Sequence, residues 1–253
     1  MGFVVAVHSF RGGTGKSNLT ANLAYCCAEI GARVAVVDTD IQSPGVHVLF
    51  GLGDSLMKYC LNDYLKGECS IHEPVYDVSA KLSLPAGTMN LIPSRLNAQA
   101  IVAMLKEGFD VQKLTTAFSD LTKELRLDML LIDTHPGIEE ETLLSISMCD
   151  ALVVILRPDE QDYLGTAVTF EIAKRMEVPK IFLVANRVPP ELDSAQFKTI
   201  LEETYKVPII GILPFSYGLM MAQSKEVYSY TSPGDLFSVA VRAAAEYILR
   251  NAR

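Results

Sequence analysis

The chain has 253 residues, 30 of them acidic and 22 basic, which gives a formal net charge of −8. This acidic balance argues against a protein that coats nucleic acid by bulk charge, and no apolar run approaches the ~20 residues of a membrane span. Five cysteines form no CxxC pair, and the first residues carry no secretory leader pattern. We therefore expect the protein to work in a reducing cytoplasm.

Seven short apolar runs rich in β-branched residues are predicted to be buried strands. They are GFVVAVHS (2–9), RVAVVDTD (33–40), MNLIP (89–93), DMLLID (128–133), ALVVIL (151–156), KIFLVAN (180–186) and PIIGILP (208–214). Helix-like segments lie between them, at 16–31, 111–126, 138–149, 160–176 and 193–205. Residues 41–88 are less regular, and we expect short helices and a surface excursion there.

The alternation of strands with helices determines the predicted fold class. Successive strands joined through helices imply crossover connections, so we predict an α/β fold with one doubly wound, mostly parallel sheet and helices on both faces. The sequence contains no linker rich in proline or serine, no internal repeat and no low-complexity tract. Residues 1–253 are therefore predicted to form a single domain.

A glycine-rich segment, SFRGGTGKSN (9–18), joins the first strand to the first helix. Glycines let successive backbone N–H groups curl around a phosphate, and the start of a helix adds positive potential. The segment fits the end of the pattern GxxxxGK[ST], in which Lys16 reaches the β- and γ-phosphates and Ser17 ligates Mg²⁺. The first glycine of that pattern is missing, because Ser9 and Phe10 occupy its neighbourhood. The residues predicted to bind the nucleotide here are Gly12, Gly13, Thr14, Gly15, Lys16, Ser17 and Asn18.

The strand at 128–133 ends in an aspartate after four apolar residues, MLLID. This pattern is typical of a Walker B strand, whose terminal carboxylate binds Mg²⁺ through a water molecule. We therefore predict that Asp133, together with Ser17, belongs to a magnesium site.

The segment RGGTGKS (11–17) resembles the deviant Walker A motif, KGGxGK[ST], of the MinD/ParA family of P-loop ATPases. The resemblance implies a P-loop NTPase fold of the SIMIBI type, with ATP and Mg²⁺ as cofactors. In that family the first lysine reaches across an ATP-sandwiched dimer to the nucleotide of the partner subunit. Arg11 occupies that position here, and it keeps the charge while offering a planar fork suited to two phosphate oxygens. Arg11 and Lys16 are therefore predicted to be catalytic, and the alternative for Arg11 is a contact with its own loop or with solvent.

Two further segments are similar to the switch regions of the same family. VVDTD (36–40) is similar to the first switch, which implies that Asp38 lies near Mg²⁺ and that Asp40 orients or deprotonates the attacking water. DTHPGIE (133–139) is similar to the second switch, in which Gly137 would bring a backbone N–H near the γ-phosphate. The resemblance also implies that Asn186 reads the adenine edge and that Pro214 forms another wall of the base site.

The resemblance covers nearly the whole chain and implies an ATPase switch. MgATP would bring two subunits together as a homodimer, and slow hydrolysis, stimulated by a partner protein, would release them to position a division site, a partition complex, flagella or other cargo. His135, within the second switch, is expected to be an inert loop side chain, and the alternative is that it senses the nucleotide or a partner. The final helical segment at 236–253 is expected to pack on the core rather than on a membrane. Scattered basic residues leave nucleic-acid binding undecided.

Two other functions are compatible with this fold. An iron–sulfur carrier ATPase would need cysteines poised at a dimer face, and the candidates are Cys26, Cys27 and Cys149. Neighbours on a helix point about 100° apart, and the apolar surroundings favour packing for these side chains. An ATP-dependent ligase of the dethiobiotin synthetase kind would need a small-molecule pocket, which the sequence neither shows nor excludes.

Overall fold

The computed structural model describes residues 2–96 and 111–252. Within these residues, eight strands form one sheet in the order β3-β4-β2-β5-β1-β6-β7-β8, and every neighbouring pair is parallel except β3 with β4. The strands are β1 Phe3–His8, β2 Arg33–Asp38, β3 Tyr76–Asp77, β4 Thr88–Ile92, β5 Met129–Asp133, β6 Ala151–Leu156, β7 Lys180–Val188 and β8 Ile209–Pro214. The predicted α/β class with a doubly wound, mostly parallel sheet is confirmed.

The helices of the described residues cover both faces of the sheet. They are α1 Lys16–Glu29, α2 Val46–Leu49, α3 Leu61–Lys66, α4 Val111–Glu124, α5 Glu140–Ser147, α6 Glu160–Arg175, α7 Ser194–Tyr205, α8 Tyr217–Ala222, α9 Tyr228–Thr231 and α10 Leu236–Asn251, with two 3-10 turns at Asp54–Leu56 and Ala80–Leu82. The helices predicted from the sequence are therefore present, with ends that differ by one to two residues. Among these ranges no helix combines the length and the apolarity that crossing a bilayer requires.

Successive residues of the central strands pack on opposite faces of the sheet. In β1, Val5 and Val7 belong to the core layer formed with α1 and α10, whereas Ala6 packs with the helices of the other face. This explains why the strands appear in the sequence as continuous apolar runs: both faces of each strand are covered. The helix α10 buries Phe237 and Val241 in the first of these layers, as expected for a segment that packs on the core.

The structure adds one strand to the seven that were predicted. Tyr76 and Asp77 form the short antiparallel edge strand β3, whose side chains are only partly buried and give no apolar run. The predicted short helices are also present between residues 41 and 88. The carboxyl ends of β1, β2 and β5 lie side by side, and Asp38 is the register partner of Asp133. Ligand sites of open α/β sheets lie at this edge, next to the loops that follow the strands.

Candidate functional site

The glycine-rich loop between β1 and α1 has the backbone conformation that glycine permits. Gly13 has φ of +77° and Gly15 has φ of +96°, which is the left-handed region that disfavours side chains. A Cβ on Gly13 would meet nothing within 4 Å, so the loop is open at that point. Gly15 directly precedes α1, and no side chain caps the helix. The first amides of α1 are therefore available to an anion.

Lys16 is the first residue of α1, and its ammonium group is buried among carboxylates. Its Nζ lies 3.0 Å from Oδ2 of Asp133 and 3.7 Å from Oδ2 of Asp40, and the side chain is only 6% exposed. Neither contact has hydrogen-bond geometry, and the hydroxyl of Thr14 is likewise buried without a partner among the described residues. Buried donors without acceptors are costly. The loop therefore fits a phosphate group, which would supply the missing acceptors.

The predicted magnesium residues Ser17 and Asp133 are in direct contact. Ser17 Oγ donates to Oδ2 of Asp133 over 2.7 Å, and Thr20 Oγ1 donates to Oδ1 over 2.8 Å. In the part of the chain that the structure describes, no cluster of three or more His, Cys, Asp or Glu side chains could hold a metal ion. Mg²⁺ favours six oxygens and retains waters. The donor set fits a magnesium ion that is completed by water and nucleotide oxygens.

Asp38 is fully buried at the end of β2, next to Asp133. Its carboxylate accepts hydrogen bonds from the backbone N–H groups of Asp40, Gly45 and Val46 over 3.1 to 3.2 Å. Burial, followed by repulsion from the carboxylate of Asp133, raises the pKa of Asp38 well above its ordinary value. A nearby divalent cation would remove this repulsion, so the environment of Asp38 is consistent with its predicted place near Mg²⁺.

Asp40 contacts a residue that was expected to be inert. The Nδ1 atom of His135 lies 2.8 Å from Oδ1 of Asp40, and the backbone N–H of Ser43 donates to the same oxygen over 3.0 Å. The hydrogen bond to Asp40 is the main reason why the pKa of His135 is raised. His135 therefore lies within the site. Its position two residues after Asp133 indicates that it is near the site but not that it contacts Asp40.

Gly137, predicted to present an amide to the γ-phosphate, has φ of +95°. Its backbone N–H donates to the carbonyl of Ser9 over 3.1 Å. The second switch segment is therefore attached to the start of the glycine-rich loop, and the amide of Gly137 must leave Ser9 before it can bind a phosphate.

The predicted base-binding residues line one cleft of about 260 Å³ beside the glycine-rich loop. Asn18, Asn186 and Pro214 line this cleft, together with the loop residue Gly15. Asn186 Nδ2 donates to the carbonyl of Thr14 over 2.8 Å, which ties the end of β7 to the loop. The apolar side chains of the cleft, which were not predicted, are Phe215, Leu219 and Met220. Phe215 directly follows β8, and Leu219 and Met220 lie on α8, so their place after the last strand was the available signal.

Arg11 contacts its own chain. Its Nη1 atom donates to Gln161 and lies 3.7 Å from Oδ1 of Asp159, at the start of α6, while the side chain remains 41% exposed. The neighbouring ring of Phe10 lies against Gly165 so closely that a Cβ there would be 2.0 Å from the ring. The structure thus places Arg11 on the surface of α6, at the edge of the loop.

A larger cleft of about 1120 Å³ lies at the opposite edge of the sheet, lined by Arg33, Asp128 and Arg250 among others. None of the predicted site residues lines it. The candidate site is therefore assigned by its chemistry and by its position at the carboxyl ends of the strands. The larger volume of the other cleft does not make it the functional site.

The cysteines do not form an exposed ligand set. Cys26 and Cys27 are fully buried in α1, and Cys149 is 5% exposed. Burial raises the pKa of the Cys26 thiol to about 11 and that of Cys149 to about 12. Thiolates are the form that binds metal clusters, and they are disfavoured at these positions.

The strand β1 leads into a glycine-rich loop and then into a helix that starts with a buried lysine and a serine. Aspartates that end two neighbouring strands lie beside this helix. Together these features define a P-loop nucleotide-binding domain. The family model described as the CobQ/CobB/MinD/ParA nucleotide binding domain matches residues 5–227. The chain belongs to this family, and the resemblance to MinD/ParA proteins is confirmed.

Individual relatives agree with this assignment. An uncharacterised ATP-binding protein of Methanocaldococcus jannaschii is 32% identical over 85% of this chain and 75% of its own length. The septum site-determining protein MinD of Helicobacter pylori is 31% identical over 89% of this chain and 82% of its own. Among solved structures, the cell division ATPase MinD of Pyrococcus furiosus has a TM-score of 0.81 at 21% identity, covering 99% of this chain and 100% of its own.

Proposed function

We propose that this protein is an ATP-driven switch that binds MgATP, pairs with a second copy in the ATP state and separates after hydrolysis. One observation carries the proposal: the buried ammonium of Lys16 lies beside Ser17 and Asp133 at the start of α1, where a phosphate loop requires them. The fold relatives include a MinD of Pyrococcus horikoshii complexed with Mg-ADP and a cobyrinic acid a,c-diamide synthase of Mycobacterium smegmatis with bound ADP and magnesium. These complexes support ATP and Mg²⁺ as the ligands.

Lys16 would change partners when the nucleotide binds. Its ammonium has three donors and no acceptor, and its contacts with Asp133 and Asp40 have no hydrogen-bond geometry. The β- and γ-phosphate oxygens would accept its hydrogen bonds, which are stronger when both partners are charged. Lys16 would then neutralise the charge that develops on the transferred phosphoryl group.

The carboxylates of the site would serve in magnesium binding and in activating the attacking water. Magnesium, when bound, neutralises phosphate charge, and Ser17 would hold it directly while Asp38 and Asp133 would hold it through water. Asp40 stands in the loop after β2 and would orient the attacking water or take its proton. Such positioning and proton transfer supply much of the rate in phosphoryl transfer.

The nucleotide state would be read through the second switch and through Arg11. The amide of Gly137 would exchange the carbonyl of Ser9 for the γ-phosphate, and Arg11 would leave Gln161 to reach the nucleotide of a second copy. Loss of the γ-phosphate would reverse both exchanges. We further propose that the switch positions a cell structure in the cytoplasm and that its turnover is slow until a partner protein stimulates it. The relative named septum site-determining protein MinD supports the positioning role.

Size-exclusion chromatography with light scattering, in the presence of ATP or ADP with Mg²⁺, tests the switch. We expect a monomer with ADP and a dimer with ATP, and we expect the Asp40→Ala variant to remain a dimer because it cannot complete hydrolysis. The same mass in all nucleotide states, for both proteins, would contradict the proposal.

The relatives also include an iron–sulfur cluster carrier protein of Pyrococcus furiosus, 28% identical over 73% of this chain and 61% of its own length. The buried cysteines Cys26, Cys27 and Cys149 give no support for this activity here. A biosynthetic ligase would use the same phosphate loop, and ATP turnover without an added metabolite separates it from the switch.

A further inference from the structure

His135 lies where the two switch segments meet. It follows β5 by two residues, and the side-chain hydroxyl of Thr142 donates to its backbone carbonyl over 3.0 Å. Thr142 is itself buried, so this contact fixes the backbone of His135 against the start of α5. The imidazole, which is 17% exposed, then reaches across to Oδ1 of Asp40 in the first switch segment.

The direction of this hydrogen bond follows from the chemistry of the pair. An ionised carboxylate only accepts, so Nδ1 of His135 carries the proton and donates to Asp40. Asp40 is thus held from three directions: by His135 and the Ser43 amide on Oδ1, and by Lys16 at 3.7 Å on Oδ2. Of these three groups, His135 and Lys16 act through their side chains and Ser43 through its backbone.

The other ring nitrogen of His135 lies near a second acidic side chain. Its Nε2 lies 3.9 Å from Oε2 of Glu139, which accepts a hydrogen bond from Nε2 of Gln42 over 3.3 Å. Gln42 belongs to the same loop as Asp40. The imidazole therefore contacts Asp40 directly and lies near Glu139, which is hydrogen-bonded to the loop that carries Asp40.

We propose that His135 is a positioning residue that holds the carboxylate of Asp40 in the orientation needed for the attacking water. The inference rests on the proposed function, in which Lys16 leaves Asp40 for the phosphates. His135 is then the remaining side-chain donor to Asp40, and the Ser43 amide alone leaves the carboxylate free to rotate. Misplacement of a catalytic group by ~1 Å can cost on the order of 100-fold in rate.

The experiment compares steady-state ATP hydrolysis by the full chain with three variants, His135→Ala, His135→Asn and His135→Gln. We expect His135→Ala to lower kcat roughly 10- to 100-fold while KM for MgATP changes less than about threefold, because Asp40 acts on the water rather than on binding. His135→Asn should recover most of kcat, because its amide N–H takes the place of Nδ1–H. His135→Gln, whose amide reaches the Nε2 position, should recover little. His72→Ala removes an exposed histidine elsewhere and serves as the matched control.

Three outcomes overturn the proposal: His135→Ala turns over at the parent kcat, His135→Asn is as slow as His135→Ala, or KM rises while kcat is kept. In an Asp40→Asn background we expect His135→Ala to add no further loss, and an additive loss would also count against it. The two hypotheses fail differently. A parent chain that does not hydrolyse ATP removes the proposed function and the role of His135 together, whereas an active parent with an unaffected His135→Ala variant removes only the role of His135.

Discussion

Lys16 and Asp133 form a buried ion pair with 3.0 Å between Nζ and Oδ2, at the junction of α1 and β5. Neither side chain is more than 6% exposed. Removing two charges from water can cost more than their mutual attraction returns, so a buried ion pair is weak evidence for stability. Here the pair joins the residue predicted to bind phosphate to the residue predicted to bind magnesium.

Asp40→Ala is expected to separate binding from hydrolysis. The variant keeps Lys16, Ser17 and Asp133, so the affinity for MgATP should stay within a few-fold of the parent value. The hydrolysis rate should fall about 100-fold, because removal of a general base or water-positioning group typically costs 10²- to 10⁴-fold. Single-turnover hydrolysis with bound ATP measures this directly, and a variant that hydrolyses at the parent rate would exclude Asp40 from this role.

Gln161→Ala and Arg11→Ala should have opposite effects on dimerisation. Gln161 holds Arg11 on α6, and breaking an exposed contact of this kind costs little, so Gln161→Ala should strengthen the ATP-dependent dimer about two- to fivefold. Arg11→Ala removes the group that is proposed to cross to the partner, so its ATP state should be monomeric. Analytical ultracentrifugation with ATP and Mg²⁺ measures both. A persistent dimer of Arg11→Ala would remove the cross-subunit role.

His8 predicts an acid limit to stability. Burial and the charge of Lys16 lower the pKa of His8 from 6.5 to about 3. The unfolded chain therefore binds a proton between these pH values that the folded chain does not, so the contribution is fully present above pH 6.5 and is lost as the pH falls. For one such group the loss is about 1.6 kcal/mol between pH 6.5 and pH 5.

Urea unfolding at pH 6.5 and pH 5 checks this prediction. The matched variant is His8→Asn, whose amide replaces Nδ1 in the 2.9 Å contact with the hydroxyl of Thr134 but does not titrate. Between pH 6.5 and pH 5, the free energy of unfolding of the parent should fall by about 1.6 kcal/mol more than that of His8→Asn. An equal fall in both proteins would show that His8 is not the titrating group.

The sequence predicted the features that depend on the residue pattern of a single strand or helix. The buried strands were predictable because parallel strands covered on both faces are continuously apolar. Asp38 and Asp133 were each expected near Mg²⁺, Asp38 through the resemblance, and the structure shows that the strands they end are neighbours. The edge strand β3 was missed because the pair Tyr76–Asp77 carries no such run.

Contacts between distant loops could not be predicted in the same way. The hydrogen bond of His135 with Asp40 spans 95 residues of sequence, and that of Arg11 with Gln161 spans 150. Each depends on the path of a loop after it leaves the sheet, and no periodicity in the sequence records that path. The contact of His135 with Asp40 was not predicted for this reason.

Calorimetric titration of the parent chain and of Lys16→Ala with MgATP tests whether the loop at the start of α1 binds the phosphates. Loss of a charged hydrogen-bond partner costs about 3 kcal/mol, or roughly 100-fold in affinity. We predict measurable binding of MgATP to the parent and to the control Lys66→Ala, an exposed lysine on α3, and at least that loss in Lys16→Ala. Equal affinity of Lys16→Ala and the parent, or a parent that does not bind MgATP, would show that this loop is not a phosphate-binding site.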